Sequence, residues 1–370
     1  MRVAIVTESF APSVNGVARS VAHVTAHLED RGHDALVICP GRGPDRVGGT
    51  EVVRLPAVPL PWCPDFPLGV PTATLRQALE AFRPDVVHLA SPIAVGARAA
   101  VVARDLRIPT VAIYQTDVAG FAEQYGWRRA GRPLWRWLAW LHGNVDRTLA
   151  PSRAAVADLE AHDIPDVHRW GRGVDVDAFA PHHRTRPPTG EVRRVRVGYV
   201  GRLAAEKRVD RLAHVADLPG VELVVVGDGA ERRRLERLLP TATFTGALEG
   251  PELSRAFADL DVFVHTGTHE TFCQAAQEAL ASGVPVVAPA AGGLLDLVRP
   301  GRSGLLWDPG DDTSLRPAVA TLVREPATRA RFGTAARAQV LGRTWATLGD
   351  ELLHHYRAVR GRRTLLRQVA

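Results

Sequence analysis

Short runs of apolar residues alternate with longer segments in which apolar residues recur every three or four positions. In the first half of the chain, the short runs predict strands at residues 3–7, 34–39, 86–89, 110–114 and 147–150. The longer segments predict helices at 17–31, 73–82 and 96–105. Strands that alternate with helices are typical of a parallel, doubly wound sheet, so we expect an α/β domain here.

The alternation stops at residues 181–194, a stretch rich in proline, arginine and histidine, and then starts again. Further strands are predicted at 196–200, 222–226, 242–245, 262–265 and 285–288, with helices at 205–216, 230–239, 251–259 and 274–281. We therefore expect two α/β domains of similar size, residues 1–180 and 195–344, with a linker over 181–194 and the ligand site in the cleft between them. Helical spacing after Trp345 predicts that residues 345–370 return to pack on the first domain.

The 370 residues carry a formal net charge of +6, which favours phosphates, nucleotides or an anionic membrane as partners. Arginines are spread along the chain, which argues against a dedicated nucleic-acid binder. Cys39, Cys63 and Cys273 have neither disulfide-framework nor metal-ligand spacing, so we expect a reducing compartment and no metal or other cofactor. The N-terminal apolar run is too short for a signal peptide, and no clean apolar run reaches about 18 residues, so we expect a cytoplasmic, soluble or peripheral protein.

Lys207 is the one lysine among 46 basic residues, and all the others are arginine. Asparagine is also nearly absent, with only Asn15 and Asn144, so the skew is typical of codon bias in a GC-rich genome. A lysine kept against that bias is a candidate for a compact point charge, which the planar guanidinium of arginine replaces poorly. The alternative is chance.

The loop after the first predicted strand ends in Asn15 and Gly16, immediately before a helix. A glycine at this place lets backbone N–H groups approach an anion at the helix N-terminus. The alternative is a glycine that serves only the shape of the turn.

The second domain repeats this arrangement, because Gly201 and Arg202 follow its first strand and Lys207 comes next. Arginine forks onto two phosphate oxygens and lysine adds a mobile point charge, so together they would neutralise a diphosphate. The alternative is a surface salt bridge from Lys207 to Glu206 or Asp210.

A third group of candidates surrounds the start of the helix predicted at 274–281. Thr271 is predicted to cap a helix that begins near Cys273 and ends at Gly283. Glu270 then lies at the mouth of the helix, with Glu278 roughly 12 Å further along it. That span suits the sugar and ribose ends of a sugar nucleotide, and it is too long for a paired general acid and base. The alternative is two solvated or capping glutamates on an ordinary helix.

Several motifs occur together: residues 201–203 with Glu206 and Lys207, two glutamates with seven residues between them, and residues 173–175 and 301–306. Across essentially its whole length the chain thereby resembles the retaining GT-B glycosyltransferases of family 4. Residues 114–118, 150–152, 167–170 and 265–274 resemble more closely the GDP-mannose-dependent α-mannosyltransferases of actinobacterial membrane glycolipids. The sulfolipid-forming transferases are similar relatives.

The resemblance implies a role for each matching position. It places the donor diphosphate at Gly16, Arg202 and Lys207, and it counts Asn15 and Gly201 among the donor-binding residues. It places the transferred sugar at Glu270 and the backbone of Thr271, Phe272 and Cys273, the ribose at Glu278, and the base at Gly246 and Glu249. A carboxylate at position 249 would accept hydrogen bonds from N1–H and N2–H of guanine.

Gln115 departs from the family pattern, because many relatives have a histidine there, near the sugar and the acceptor. Glutamine transfers no proton but still hydrogen-bonds a hydroxyl, and Asp117 is a candidate acceptor contact or base. The mechanism that the resemblance implies is front-face displacement with retention, in which the leaving diphosphate takes the acceptor proton and Arg202 and Lys207 stabilise charge. Asp175 and Asp177 resemble a metal-binding pair, but they lie by the linker, so no metal is expected.

A segment of the first domain interleaves tryptophan with arginine, at Trp127, Arg128, Arg129, Arg132, Trp135, Arg136, Trp137 and Trp140. This composition is typical of an interfacial helix on an anionic membrane. The alternative is an amphipathic helix that packs its tryptophans into the first domain.

The sequence therefore favours an α-mannosyltransferase, peripheral on the inner face of the plasma membrane, that uses GDP-mannose on a glycolipid such as a glucuronosyl- or inositol-containing lipid. A UDP-sugar donor with a similar lipid is the alternative within this class. From other classes, a sugar-nucleotide epimerase or a non-catalytic nucleotide-sugar sensor would share the architecture, although the epimerases lack this glutamate arrangement.

Overall fold

The computed structural model describes residues 1–13, 15–60, 63–70, 72–90, 92–115, 131–186 and 194–369, without the side chains of 59, 60, 63–67 and 363–369. The chain divides into two compact units, Met1–Arg172 with Trp345–Ala370, and Gly173–Thr344. Each unit is built on a doubly wound parallel sheet, so the predicted α/β class is confirmed.

The strands of the first unit are β1 (Arg2–Val6), β2 (Asp34–Pro40), β3 (Arg46–Val47), β4 (Thr50–Leu55), β5 (Ala57–Leu60), β6 (Cys63–Gly69), β7 (Val86–Leu89), β8 (Thr110–Ile113), β9 (Arg147–Ala150) and β10 (Val167–Arg169). Those of the second unit are β11 (Val195–Val200), β12 (Val221–Val226), β13 (Thr243–Gly246), β14 (Val262–Val264), β15 (Val286–Pro289) and β16 (Gly304–Trp307).

The α-helices of the described residues are α1 (Gly16–Asp30), α2 (Ala73–Phe82), α3 (Val95–Asp105), α4 (Gly131–His142), α5 (Arg153–Glu160), α6 (Arg232–Leu238), α7 (Gly250–Ala258), α8 (Gln274–Ala281), α9 (Leu294–Leu297), α10 (Leu315–Arg324), α11 (Pro326–Val340) and α12 (Trp345–Val369). Within the described part of the chain, none of them has both the length and the apolar character that crossing a membrane requires.

The sheet of the first unit has the strand order β10-β9-β8-β7-β1-β2-β4-β3. Its described pairs run parallel except β3 with β4, and β5 and β6 form a separate antiparallel ribbon. The chain moves outward from β1 to β2 and β4, then returns to β7 on the other side of β1. Ligands of open α/β sheets bind at the carboxyl ends of the strands where this direction reverses, here between β1 and β7.

The long helix α12 packs on the first unit. Tyr356 is fully buried, and its hydroxyl lies 2.6 Å from Nδ1 of His88 on β7. The indole N–H of Trp170 donates to the carbonyl of Leu348 at 2.9 Å. Burial lowers the pKa of His88 to about 3, so this contact joins two neutral side chains.

The sheet of the second unit has the strand order β13-β12-β11-β14-β15-β16, with every described pair parallel. The direction of winding reverses between β11 and β14. The carboxyl ends of these two strands therefore mark the expected ligand position of this unit.

The boundary between the units differs from the predicted one. Residues 173–180 join the second unit, where Val174 N–H donates to Arg343 O and the guanidinium of Arg337 donates to carbonyls of Val176 and Phe179. The predicted linker 181–194 begins with a 3₁₀ turn, Pro181–His183, and its Arg184 forms an ion pair with Asp261. Residues 187–193 lie outside the described residues.

The prediction of one helix at 205–216 is wrong. The chain forms two 3₁₀ turns instead, Ala205–Lys207 and Val209–His214, separated by Arg208 in the left-handed conformation at φ 47°. Arg208 is held there by ion pairs with Asp210 and Asp312, a long-range arrangement that apolar spacing cannot reveal.

Candidate active site

Lys207 and Glu270 meet at the carboxyl ends of β11 and β14. The ammonium of Lys207 donates to Oε1 of Glu270 at 2.6 Å, and Nε2 of His265 lies 3.0 Å from the same oxygen. Strand β11 leads to the turn that carries Lys207, and β14 leads to His265 and the loop that carries Glu270. The site therefore lies where the winding of the sheet reverses.

The charges at this position stabilise one another. Burial alone would raise the pKa of Glu270, but the ammonium of Lys207 and the ring of His265 hold it well below its ordinary range. Burial alone would lower the pKa of Lys207, but the carboxylate of Glu270 outweighs it and raises that pKa. Their side chains are still 20% and 14% exposed, so a ligand reaches the pair without unfolding the site. The ammonium of Lys207 is thus a fixed, solvent-accessible positive charge of the kind that stabilises a developing anion.

The two carboxylates considered as alternative partners of Lys207 pair with arginines. Glu206 accepts a hydrogen bond from Arg202, and its side chain is 2% exposed while that of Arg202 is 62% exposed. Asp210 pairs with Arg208. The buried carboxylate of Glu206 thus holds the guanidinium of Arg202, while much of the Arg202 side chain stays in solvent.

The start of α8 differs from the prediction. Cys273, not Thr271, occupies the N-cap position, at φ 80° and ψ 79°, and makes no side-chain capping bond. Glu270 therefore lies in the loop before the helix, so the predicted 12 Å helical rise does not describe its separation from Glu278. Glu278 is buried at 8% exposure on α8, with Phe272 and Cys273 buried beside the helix start.

The loop that carries Glu270 rests on the backbone of residues 292 and 293. Gly293 N–H donates to Glu270 O at 2.7 Å. A Cβ atom on Gly293 would lie 2.5 Å from Thr271 O and 2.6 Å from Phe272 Cα, closer than side chains tolerate. The close approach of these two backbones fixes the height of Glu270 above the sheet.

His265, Glu270 and Cys273 each offer one ligand atom, and these atoms lie within 4.8 Å of one another. The imidazole stands between the other two groups, with Nδ1 3.6 Å from the sulfur and Nε2 towards the carboxylate. Thiol, imidazole and carboxylate are therefore neighbours in one chain of side chains. Asp175, the candidate for a metal pair with Asp177, instead accepts hydrogen bonds from N–H groups of its own turn.

Gly246 is the last residue of β13, at the edge of the same sheet, and Glu249 follows this strand. Gly246 has φ 81° and accepts a hydrogen bond from Gly227 N–H at 2.8 Å. Glu249 is exposed at the N-cap of α7, and its side chain makes no capping bond. Gly201 links β11 to Arg202 in an extended, positive-φ conformation at 155°.

In the first unit, Asn15 is the N-cap of α1. Its Oδ1 accepts from the N–H groups of Val17 and Ala18 at 3.0 Å, and its amide donates to Ser9 Oγ. Helix capping therefore explains why an asparagine stands at position 15. The contact with the sugar-nucleotide donor that the sequence predicts for it stays a prediction.

Gln115 and Gly16 are joined through Arg172, which the sequence did not single out. The guanidinium of Arg172 donates to Gln115 Oε1 and to Gly16 O, and the amide of Gln115 donates to Ala90 O at 2.6 Å. Gln115 and Gly16 thus flank the reversal point between β1 and β7. Asp117 lies outside the described residues.

The tryptophan and arginine segment divides into two faces on α4. Trp135 stacks on His162 with ring centroids 3.6 Å apart, and Trp137 packs partly buried in the same cluster. Arg132, Arg136 and Trp140, four residues apart, are exposed, with Trp140 at 51%. The packing alternative therefore describes Trp135 and Trp137, while Trp127, Arg128 and Arg129 lie outside the described residues.

Sequence reasoning assigned no role to His265 or Arg172, and it marked Glu206 only as part of a motif and as a possible partner of Lys207. A signal existed for His265, because a polar residue directly after a buried strand lies at the carboxyl edge of the sheet. No local signal shows that Glu206 pairs with Arg202 or that Arg172 contacts Gln115.

Two family models match the chain, "Glycosyltransferase Family 4" over residues 14–178 and "Glycosyl transferases group 1" over residues 185–339. A GDP-mannose-dependent alpha-mannosyltransferase of Mycolicibacterium smegmatis is 53% identical over 378 residues, covering 99% of each protein. One of Mycobacterium tuberculosis is 54% identical over 379 residues, covering 98% of each. The sulfoquinovosyl transferase SQD2 of Arabidopsis thaliana is 32% identical, covering 90% of this chain and 68% of that protein.

Solved structures share the fold at low identity. Sucrose-phosphate synthase from Thermosynechococcus elongatus has a TM-score of 0.78 at 22% identity, covering 97% of this chain and 98% of that one. HepE of Anabaena, solved with UDP, has a TM-score of 0.77 at 20% identity, covering 97% and 100%.

Proposed function

This chain belongs to family 4 of the glycosyltransferases, and on that premise we propose that it transfers mannose from GDP-mannose to a glycolipid acceptor and releases GDP. The names of its relatives support the donor. The observation that carries the proposal is the pairing of Lys207 with Glu270 at the carboxyl ends of β11 and β14.

The donor is assigned to the second unit. The diphosphate would contact Lys207 and Arg202, the mannose hydroxyls Glu270, and the ribose hydroxyls Glu278. Negative phosphates near Lys207 would share its ammonium with Glu270, since that group has three donor hydrogens. The N-terminus of α8 adds a partial positive charge beside the same groups.

Transfer would proceed on one face of the sugar, with retention of the anomeric configuration. The bond from the anomeric carbon to the diphosphate oxygen breaks, and the acceptor oxygen bonds to that carbon from the same side. The acceptor proton passes to the leaving diphosphate, so no protein base is required. Arg202 and Lys207 would neutralise the diphosphate as its charge grows, which is the role that a metal ion fills elsewhere, and we therefore propose no metal.

Glu249 is the proposed reader of the guanine base. Its exposed carboxylate is not used as a helix cap and would accept hydrogen bonds from N1–H and N2–H. Uracil presents one N–H on its pairing edge, so it would satisfy only half of this contact. Calorimetry should show tighter binding of GDP than of UDP, with the preference reduced in Glu249→Gln.

A lipid acceptor agrees with the exposed face of α4. Arg132 and Arg136 would meet anionic headgroups, and Trp140 would enter the interface beside them. We propose that this face holds the protein on the cytoplasmic side of the plasma membrane.

The test is to incubate the protein with GDP-mannose, UDP-glucose and other sugar nucleotides in the presence of extracted membrane lipid. Mass spectrometry should show lipid that has gained one hexose, with GDP-mannose as the preferred donor, and Glu270→Gln as the inactive control. A preference for UDP-glucose would contradict the donor. Binding of a nucleotide with neither consumption of it nor a hexosylated lipid would indicate a sensor instead of an enzyme.

A further inference from the structure

The proposed transfer makes no use of the thiol of Cys273, yet the surroundings of this side chain are unusual. Its sulfur lies 3.6 Å from Nδ1 of His265, whose Nε2 lies 3.0 Å from Oε1 of Glu270. Thiol, imidazole and carboxylate therefore stand in a row. An imidazole that is oriented by a third group is the arrangement that activates nucleophilic thiols.

The charges around the sulfur also favour its nucleophilic form. Burial alone would lower the pKa of His265, but Cys273 and Glu270 outweigh it and raise that pKa to about 9. The ring of His265 therefore holds its proton near neutral pH and is a positive charge 3.6 Å from the sulfur. The N-terminus of α8 and the ammonium of Lys207 lie on the same side as attractive charges.

Two further groups belong to this electrostatic environment. Tyr199 of β11 stacks near His265, with ring centroids 6.1 Å apart, and the pKa of its hydroxyl is raised by burial and by the neighbouring acidic groups. The carboxylate of Glu206 lies behind the turn, where it pairs with Arg202. The neutral phenol and the paired carboxylate add no unpaired negative charge next to the sulfur.

We propose that Cys273 is a reactive thiol inside the donor site, and that its modification by a small electrophile such as hydrogen peroxide blocks donor binding. The thiolate sulfur attacks one peroxide oxygen and the O–O bond breaks, so the sulfur is oxidised to a sulfenic acid. The leaving hydroxide takes the proton of His265 and departs as water. The added oxygen would lie beside Glu270 and the start of α8. This proposal rests on the proposed function, which places the sugar there.

Cys39 provides an internal control. It is fully buried, Nη1 of Arg54 lies 3.1 Å from its sulfur, and burial raises its pKa to about 11. Cys273 retains 6% of its surface. The two thiols of the same folded protein should therefore differ in their reactivity.

The test compares the rate of iodoacetamide labelling at Cys273 at pH 6.5 and pH 8.5, by peptide mass spectrometry on the native protein. An ordinary thiol, with a pKa near 8.5, slows about 50-fold over this interval because its thiolate disappears. Cys273 should slow less than about 5-fold, and Cys39 should remain almost unlabelled. The ratio of the labelling rates at the two pH values does not depend on how accessible the residue is. A decrease of about 50-fold in the labelling rate of Cys273 between pH 8.5 and pH 6.5 would therefore overturn the proposal.

A second measurement links the thiol to the donor. Saturating GDP-mannose should slow labelling at Cys273 by at least about tenfold, as expected where the sugar of the bound donor covers the sulfur. Peroxide should abolish the transferase rate of the unmodified chain, while Cys273→Ala should keep its own untreated rate after the same exposure. Equal peroxide losses in both proteins would overturn the regulatory part, whereas a chain with normal labelling but no transferase activity would contradict only the proposed function.

Discussion

The ammonium of Lys207 is hydrogen-bonded to the carboxylate of Glu270 across 63 residues of sequence, at 2.6 Å. Each residue stabilises the ionised form of the other at a partly buried position. A diphosphate that arrives at Lys207 and a sugar that arrives at Glu270 would therefore bind at two ends of one preformed unit. Preformed charges of this kind stabilise a transition state with little reorganisation.

We expect this pair to make the free energy of unfolding depend on pH in the acid range. The folded pKa of Glu270 is lower than its unfolded value, so its contribution is fully present above about pH 4.5 and is lost as the pH falls below that. Glu270→Gln should lower the free energy of unfolding at pH 7 by about 3 kcal/mol, because it leaves Lys207 without its buried partner. The difference from the wild type should shrink steadily between pH 5 and pH 3 in denaturant titrations.

The control for this prediction is Glu252→Gln, on the exposed first turn of α7. That change should shift stability by less than about 0.5 kcal/mol at every pH. A Glu270→Gln deficit that stays constant down to pH 3 would show that the carboxylate is not held in its charged form by its neighbours.

Gly293→Ala should misplace the loop that carries Glu270. The added methyl group would lie 2.5 Å from Thr271 O, so the two backbones must separate. We expect a loss of about 1–3 kcal/mol in the free energy of unfolding, together with weaker GDP-mannose binding. Gly342→Ala is the matched control, because nothing lies within 4 Å of its Cβ position. Equal stability of the two variants would contradict the packing argument.

The exposed face of α4 should govern membrane binding. Trp140→Ala should reduce sedimentation with phosphatidylglycerol vesicles severalfold, because its ring is exposed about one turn beyond Arg136, on the face that we propose meets anionic lipid. Leu341→Ala removes a comparably exposed apolar side chain from the second unit and should leave sedimentation unchanged. Unchanged binding by Trp140→Ala would place the membrane contact elsewhere.

The sequence indicated the sheets well, because buried parallel strands appear as continuous apolar runs and α8 has clear apolar spacing. Its bounds, Gln274–Ala281, agree with the prediction. The left-handed Cys273 was not predictable, since its conformation is fixed by the loop around Gly293. Likewise, spacing on α4 could not say which tryptophans face inward, because that depends on His162 and Tyr114 from other elements.

The resemblance to family 4 is confirmed by the matching family models and relatives. It named Lys207 and Glu270 separately, as diphosphate and sugar contacts. The contact between them became visible only in the structure, because the strands that deliver them are neighbours in the sheet but far apart in sequence.

Lys207→Arg tests most directly whether Lys207 acts as a compact charge at the donor diphosphate. A guanidinium keeps the charge but is larger and planar, so it cannot occupy the same place beside Glu270 Oε1. The rate of mannose transfer should fall at least about 100-fold with little change in the melting temperature. Arg208→Lys, the reverse exchange at the neighbouring residue, whose side chain is 42% exposed, should keep its rate within about threefold. A Lys207→Arg enzyme that transfers mannose at the wild-type rate would contradict the account.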